Sequence, residues 1–564
     1  MEDKMDYDLK ITGGLIVDGT GAPGRAGDVG IRGGRIVALG EAPGNAAQTL
    51  DAAGRVVCPG FVDIHTHYDA QVLWDRLLSI SPWHGVTTVV MGNCGFGIAP
   101  VRRDHRNLLI QTLEKVEGMS AAALHEGLGD WGFESFPEYL DLVEQRGAAI
   151  NVAALIGHTP LRLYVMGEQA TERNATADEI AAMRRIVKEA LDAGALGLAT
   201  SKLQAHVGFA GRPVPSRAAD FDEVRTLAST LKEAGHGMLQ TTLGPGLLLE
   251  QIEQLAVETG APISWSALLA GSAFGKSGHK EQLAKSEELA AKGLRIAPQV
   301  TPRPLNFEFQ FSEPTILEGM SFFKPVAVAD AEGKRAIYGD PAFRAQFRDR
   351  WDTAWPELKK AFELMAIVEY APEPALEERL LSEVGRERGI HPVDLALDMA
   401  LATNLEARFR MPLANHDETQ VEELLTNRNM VLGLSDAGAH ASQLCDACQA
   451  THLLGRWVRE KKVLKLEEAV RMLTSRPAEA FGIEDRGLLA VGRPADVVVF
   501  DPDTVAAGPL KRVNDMPAGA PRLVSEATGI DAVVVNGVVI RRTGQDALGA
   551  GEPLPGRLLR KGRA

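Results

Sequence analysis

Two histidines, His65 and His67, follow a short apolar run in the segment PGFVDIHTHYDAQVLWD. If Gly60–Thr66 forms a β-strand, residues i and i+2 lie on the same face, so both imidazoles point to one place. Two convergent imidazoles are typical neighbouring ligands of a transition metal. The pair therefore predicts a metal site at the end of a strand.

Asp436 also follows an apolar run, in the segment VLGLSDAGAH. The carboxylate at this position is either a helix N-cap, a role that Ser435 and Asp436 both suit, or a metal ligand. A ligating carboxylate can also accept the proton of a metal-bound water. Because His65 and His67 on the first strand already offer two metal ligands, we predict that Asp436 is both ligand and catalytic base.

Two further candidates could complete a metal site. Cys94 in MGNCGFG lies at a turn, where it is either a small core residue or a thiolate ligand. Lys202 in GLATSK is either a surface residue or a desolvated lysine that has lost its charge. A neutral lysine can react with carbon dioxide to form a carbamate that bridges two metals. We expect one or two zinc ions.

The remaining histidines near strand ends are candidates for substrate binding. His158 in IGHTPLR is expected to contact substrate, while His206 and His440 occupy loop positions and are weaker candidates. Arg162 and Arg303 could clamp a substrate carboxylate. The isolated pair Cys445 and Cys448 in CDAC is expected to pack in the helix after the last strand.

The elements that must position these residues form a regular series. Apolar, strand-like segments alternate with amphipathic runs such as TADEIAAMRRIVKEALDAG. Counting GFVDIHTH first, the other strands are predicted at 87–95, 151–159, 194–202, 237–244, 262–269, 295–304 and 430–438. Eight strand–helix units predict an α/β protein, a (β/α)₈ barrel with its active residues at the strand C-terminal ends. Residues 305–425 form a large insertion of two or three helices, where a pocket wall would belong.

Composition sets the broad class of the protein. The chain has 564 residues, of which 45% are hydrophobic and 24% charged, as in ordinary globular proteins. A net charge of −15 without a basic stripe argues against a nucleic-acid partner. The polar start MEDKMDYDLK and the lack of a long apolar run predict no signal peptide and no membrane partner. Four cysteines do not make a disulfide framework, so we expect a cytoplasmic protein, with a homo-oligomer left open.

Several motifs together resemble the D-aminoacylase (N-acyl-D-amino-acid deacylase) group of the amidohydrolase superfamily, in its longer branch. They are the His65 segment quoted above, SPWHGVTTVVMGNCGFGIAPV, DWGFESFPEYLDLVE, IGHTPLRLYVMG, GLSDAGAH and TSRPAEAFGIEDRGLLAVGRPADVVVFD. The resemblance implies a metal-dependent (β/α)₈ barrel beside a small β-sandwich domain built from both chain ends. We accordingly predict a β-domain of residues 1–57 plus 485–564 and a barrel of residues 58–484.

The resemblance also implies ligands, position by position. The strand-one pair matches His65 and His67, the strand-two cysteine matches Cys94, and the strand-eight aspartate matches Asp436. The group's histidines on strands five and six have no counterpart: Thr241 and Thr242 occur at the first position, and Trp265 and Ser266 occur at the second.

The function that these residues predict is zinc-dependent hydrolysis of a linear amide, most simply deacylation of an N-acyl amino acid that is D-configured by resemblance. The partner would be a small-molecule amide. One alternative is a hydrolase of cyclic amides, such as hydantoins, that uses a carbamylated Lys202. Another is a barrel that has lost its metals and serves as a binding or scaffold protein, which the two absent histidines suggest.

Overall fold

The computed structural model describes residues 5–273, 278–549 and 551–564. Its centre is a curled sheet of eight parallel strands that pair in chain order, as the alternating pattern predicted. The barrel strands, numbered first to eighth, are Phe61–Asp63, Val86–Met91, Asn151–Gly157, Gly197–Ser201, Met238–Thr242, Ile263–Ser266, Ile296–Val300 and Val431–Leu432. Nearly every strand residue is buried, as expected for a parallel sheet covered on both faces.

The first strand is shorter than predicted, because it ends at Asp63 rather than at Thr66. Beyond it, the chain bends to close the barrel against the segment after the eighth strand. The His67 amide donates to the Ala437 carbonyl (2.7 Å), and the Ser435 hydroxyl donates to the His65 carbonyl (3.0 Å). The two histidines and Asp436 therefore lie on two segments that are hydrogen-bonded to each other.

Helices follow the strands around the barrel. They are Arg106–Glu117, Ala121–Leu128 and Phe136–Arg146 after the second strand, His158–Met166 and Ala177–Ala193 after the third, Phe221–Ala234, Leu249–Thr259 and His279–Ala291 after the next three, Glu418–Leu425 before the eighth, and Gln449–His452, Leu466–Leu473 and Ser475–Phe481 after it. The helix Ala177–Ala193 shows how the sequence sets the ends of a helix. Thr176 and Glu179 form a capping box at its start, and Gly194 ends it in a left-handed conformation.

The segment between the seventh and eighth strands carries more structure than predicted. A three-stranded sheet is formed by Leu305–Gln310, Arg408–Ala414 and Ala366–Glu369, with Arg408–Ala414 in the centre. The described helices are Lys324–Val328, Ala331–Gly339, Pro341–Thr353, Pro356–Glu363, Leu381–Arg388 and Pro392–Ala402, rather than two or three. Several begin with proline, which favours the first helical turn and divides the segment into short helices.

Both ends of the chain contribute to one nine-stranded sheet. Its strands are Tyr7–Ile16, Arg25–Arg32, Arg35–Gly40, Ala46–Asp51, Val56–Pro59, Val497–Phe500, Ile530–Val535, Val538–Arg542 and Gln545–Asp546. Val56–Pro59 pairs antiparallel with Val497–Phe500, so the two ends meet in the middle of the sheet. A separate hairpin joins Ala506–Val513 to Arg522–Thr528. The domain limits at 57/58 and 484/485 stay a prediction.

Candidate metal centre

Four side chains converge at the carboxyl ends of the first, second and eighth strands: His65, His67, Cys94 and Asp436. The Nε2 atom of His65 lies 3.3 Å from Cys94 Sγ and 3.2 Å from Asp436 Oδ1. The Nε2 atom of His67 lies 3.6 Å from the same Asp436 oxygen. Ligand atoms about 2.0–2.3 Å from one tetrahedral zinc ion are roughly 3.3–3.8 Å apart. The donor types suit zinc: the ligand atoms of His65, His67 and Cys94 all lie within 4.8 Å of one another, and Asp436 Oδ1 lies beside both imidazoles.

Cys94 and Asp436 both have left-handed backbones, with φ angles of 56° and 47°. This conformation is uncommon for residues with a side chain, and such strained residues cluster at functional sites. The Cys94 amide is held there by a hydrogen bond to Gln240 Oε1 (2.7 Å). The next residue, Gly95, packs so closely that a Cβ atom would lie 2.8 Å from Thr200 Cα. The turn therefore fixes the direction of the thiol.

The four groups alter one another's charge. Burial alone would raise the pKa of the Cys94 thiol, but His65 and His67 bring that pKa below its ordinary value. Asp436 behaves similarly: burial opposes its ionisation, and the two imidazoles lower its pKa. Anionic thiolate and carboxylate are the forms that bind zinc. The cluster thus favours the ligand forms of Cys94 and Asp436.

Each imidazole has an outer partner on Nδ1. His65 Nδ1 lies 2.6 Å from Gln299 Oε1, and His67 Nδ1 lies 3.3 Å from Glu117 Oε1. Glu117 is the last residue of the helix Arg106–Glu117 and is buried. Outer contacts of this kind orient histidine ligands; here the Gln299 contact is a hydrogen bond, and the Glu117 contact is an ion-pair approach.

Lys202 directly follows the fourth strand, which ends one residue earlier than predicted, and its ammonium group faces a neighbouring loop. Its Nζ atom donates to the Arg217 carbonyl (2.9 Å) and to the Ala219 carbonyl. Burial lowers the pKa of Lys202 to about 8. These hydrogen bonds join Lys202 to the loop rather than to the four converging side chains.

His158 and Arg162, predicted to bind substrate, instead meet an internal carboxylate. His158 forms hydrogen bonds from both ring nitrogens: Nδ1 lies 2.8 Å from Thr200 Oγ1, and Nε2 lies 2.8 Å from Glu223 Oε1. Arg162 pairs with the other oxygen of Glu223, and all three side chains are buried. Both ring nitrogens of His158 are therefore occupied within the protein. Sequence reasoning passed over Glu223 because it lies in an amphipathic helix rich in acidic residues.

Arg303 is likewise committed to internal partners. Its Nε atom donates to Asp446 Oδ1 and its Nη1 atom to Cys448 Sγ, both at 2.8 Å. Cys445 and Cys448 are buried, as expected for packing residues. They precede the helix that begins at Gln449 rather than lying inside it. The predicted carboxylate clamp is thus already neutralised.

His206 and His440 lie at the rim of the centre. The His206 ring is 5.0 Å from that of Phe96, which in turn is 6.4 Å from the His67 ring. His440 makes an edge contact with Phe307, a residue of the segment between the seventh and eighth strands (5.2 Å). Burial and nearby imidazoles lower the pKa of His206 to about 3, and burial also lowers that of His440. Two neutral imidazoles therefore border the four ligand side chains.

The sequence model of the amidohydrolase family matches residues 48–541. The chain belongs to the amidohydrolase family. It is 32% identical to the N-acyl-D-glutamate deacylase of Alcaligenes xylosoxydans xylosoxydans, and the match covers 100% of this chain and 98% of that protein.

Solved structures of amidohydrolases agree with this assignment. The N-acyl-D-glutamate deacylase of Bordetella bronchiseptica, complexed with zinc and a phosphonate that mimics the tetrahedral intermediate, has a TM-score of 0.66 and 28% identity, covering 98% of this chain and 99% of its own. A D-aminoacylase with a binuclear centre, described as activated by one metal and attenuated by a second, has a TM-score of 0.68 and 28% identity at the same coverage. A D-hydantoinase shares only the fold (TM-score 0.50, 15% identity, 99% of both chains).

In this amidohydrolase, the ends of the fifth and sixth strands carry no imidazole. Trp265 is fully buried, and the Ser266 hydroxyl accepts a hydrogen bond from Gln240 Nε2 (3.2 Å). Within the described residues, the group of His, Cys, Asp and Glu ligand atoms that lie within 4.8 Å of one another consists of His65, His67 and Cys94. Also among the described residues, no helix is both long enough and apolar enough to cross a membrane.

Proposed function

We propose that this amidohydrolase removes the acyl group of an N-acyl-D-amino acid, or of a related N-acyl amide, with one zinc ion held by His65, His67, Cys94 and Asp436. The observation that carries the proposal is the approach of the two imidazoles to Asp436 Oδ1 at 3.2 and 3.6 Å, beside the Cys94 thiol. The full-length similarity to deacylases supports the substrate class. A single ion is favoured because the fifth and sixth strands offer hydroxyl and indole groups instead of imidazoles.

When bound, zinc supplies Lewis-acid activation, which lowers the pKa of a coordinated water to about 7 and polarises a carbonyl. Asp436 accepts the proton of the attacking water and delivers it to the leaving nitrogen. His440, four residues further on, is a neutral donor for the developing oxyanion, a role that His158 cannot fill because both its ring nitrogens are occupied. Phe307 and His206 border the space where the acyl group would lie.

The cyclic-amide alternative has less support. It requires a carbamylated Lys202, whose Nζ would have to leave the carbonyls of Arg217 and Ala219. The lowered pKa of Lys202 does favour the neutral amine that reacts with carbon dioxide. A binding protein without metal is disfavoured by the convergence of four ligand side chains. We further propose a cytoplasmic location, since all four cysteines are free thiols.

Elemental analysis of the purified wild type and of His65→Ala tests the metal site. Turnover assays with N-acyl-D-amino acids, N-acyl-L-amino acids and a hydantoin test the substrate class. We expect about one zinc per chain, lost in the variant, and release of the D-amino acid. About two ions with hydantoin turnover would favour the carbamylated Lys202 alternative. A protein that takes up no metal even when zinc is supplied would overturn the hydrolase proposal.

A further inference from the structure

A chain of three hydrogen bonds runs from the interior of the barrel to His65. The Ser264 hydroxyl on the sixth strand donates to the Ala297 carbonyl (2.9 Å). Gln299 on the seventh strand donates from Nε2 to Ser264 Oγ (3.0 Å), and its Oε1 atom lies 2.6 Å from His65 Nδ1. Ser264, Gln299 and His65 are fully buried, so water does not compete for these groups.

The Ala297 carbonyl, at the end of this series of hydrogen bonds, determines which group donates at each step. A carbonyl only accepts, so Ser264 uses its single proton on Ala297 and offers a lone pair to Gln299. The Gln299 amide must then place its NH₂ group toward Ser264 and its oxygen toward His65. An amide oxygen also only accepts, so His65 Nδ1 carries the ring proton. The lone pair of the neutral ring is therefore on Nε2, which faces Cys94 and Asp436.

A glycine leaves room for this contact. Gly433 directly follows the eighth strand, which lies between the seventh strand and the segment of His65. A Cβ atom on Gly433 would lie 2.7 Å from Gln299 Oε1 and 3.1 Å from its Cδ atom. Contacts below 3.0 Å require something to move, and the Gln299 amide is held at both ends. Residue 433 must therefore lack a side chain for Gln299 to reach His65.

We propose that Gln299 is a positioning residue that fixes the orientation and the tautomer of His65 for metal binding, with Ser264 orienting its amide and Gly433 providing the passage. This inference rests on the metal site of the proposed function. It adds a set of residues outside the ligands, in which the neutral amide of Gln299 contacts His65 and the carboxylate of Glu117 contacts His67. Outer partners of histidine ligands typically contribute 10–100-fold to metal affinity.

Zinc affinity, measured by competition with a chromophoric chelator, tests the proposal. Gln299→Met keeps the length of the side chain but removes the acceptor, and should weaken zinc binding about 10–100-fold. Gln299→Glu keeps an acceptor at the same place and should stay within about threefold of wild type. Gly433→Ala, which displaces the amide from the opposite side, should weaken binding as Gln299→Met does, and the double variant should lose little more.

Two controls separate positioning from general damage. Thr230→Val makes a buried polar group apolar on the helix Phe221–Ala234 and should leave zinc affinity unchanged. Thermal melting in chelator reports the fold of every variant without metal. Wild-type affinity in Gln299→Met, or equal losses in Gln299→Met and Gln299→Glu, would overturn the inference while leaving the metal site intact. A wild type that binds no zinc would overturn both this inference and the metal site.

Discussion

At the scale of single residues, the candidate metal centre contains two anionic ligands with strained backbones. A left-handed conformation costs about 1–3 kcal/mol at a residue with a side chain, and Cys94 and Asp436 both adopt it. The Cys94 amide donates to Gln240 Oε1, and next to Asp436 the Ser435 hydroxyl donates to the His65 carbonyl. The rest of the fold thus supports two strained turns that aim a thiol and a carboxylate at the same point.

Replacing the carboxylate of Asp436 removes the proposed base. Asp436→Asn keeps the size of the side chain, but an amide does not accept the proton of water at neutral pH. We expect kcat to fall by roughly 10²–10⁴-fold while the melting temperature of the chelated protein changes little. Steady-state kinetics and circular dichroism check this. Full activity in the variant would show that another group is the base.

Glu223 has the contacts of a structural residue, because its two oxygens meet the buried side chains of His158 and Arg162. Burial alone would raise the pKa of Glu223, but His158 and Arg162 lower it to about 2. Because the folded-state pKa lies below the unfolded value of about 4.3, this contribution to stability is present at neutral pH and is lost as the pH falls from about 4 through 2. The carboxylate therefore stabilises the folded state throughout the neutral range.

Glu223→Gln leaves the Arg162 guanidinium buried without a counter-ion, so we expect a loss of about 3–5 kcal/mol in the free energy of unfolding at pH 7. Urea denaturation measures it. The matched control is Glu233→Gln on the same helix, where an exposed pair with Arg184 should contribute less than about 1 kcal/mol. Equal effects of the two substitutions would contradict a structural role for the buried group.

At the scale of elements, the segment between the seventh and eighth strands has its own aromatic core and also reaches the centre. Trp351 stacks on Phe362 with ring centroids 4.8 Å apart and planes inclined by 6°. The strand Leu305–Gln310 touches the loop after Asp436, because the Glu308 amide donates to the Gln443 carbonyl (2.8 Å) and Phe307 packs on His440. Differences in acyl preference should therefore originate in this strand.

Phe307→Ala tests that assignment. Truncation removes an apolar wall of the proposed acyl space, where even one methylene is worth about 1–3 kcal/mol, so we expect KM to rise by roughly 10-fold or more, unequally across acyl groups. Zinc content should stay at the wild-type level, since Phe307 contacts His440 and none of the four ligand side chains is its ring partner. Kinetics over a series of acyl chain lengths check this. A uniform loss of zinc would show instead that the strand supports the metal site.

The barrel is predictable from the sequence because eight apolar runs recur between amphipathic helices, and polar residues at the ends of parallel strands must meet at one edge. Gln299 and Glu117 were not predicted as partners of the histidines. A glutamine inside an apolar strand and an acid at the end of a helix have no distinctive spacing, and only the closed barrel brings them to the imidazoles. For the same reason, the partners of His158, Arg162 and Arg303 were not foreseeable from their neighbours in the chain.

At the scale of the whole molecule, His84 joins parts that are distant in sequence. Its Nε2 donates to the Ser525 carbonyl (2.9 Å), and its Nδ1 lies 2.7 Å from Thr451 Oγ1. Burial lowers the pKa of His84 to about 4. The folded protein therefore holds this imidazole neutral, and the unfolded chain, with a pKa of about 6.5, takes up the proton first as the pH falls.

This difference predicts a loss of stability between pH 6.5 and 4, of up to about 1.4 kcal/mol per pH unit for this group. His84→Gln keeps hydrogen-bonding capacity without titrating in that range. The gap in unfolding free energy between wild type and variant should narrow as the pH is lowered from 6.5 to 4.5, which urea titrations at three pH values measure. A gap that stays constant would show that His84 does not contribute to the acid response.

The nine-stranded sheet has a consequence for synthesis in the cell. Val56–Pro59 leaves the ribosome early, but its partner Val497–Phe500 follows roughly 440 residues later, a delay on the order of 20–90 s at about 5–20 residues per second. During that interval the amino-terminal strands present an unpaired edge, which is a template for association with other chains. We therefore expect a transcript truncated before residue 497 to yield a fragment that aggregates through this edge rather than a smaller enzyme.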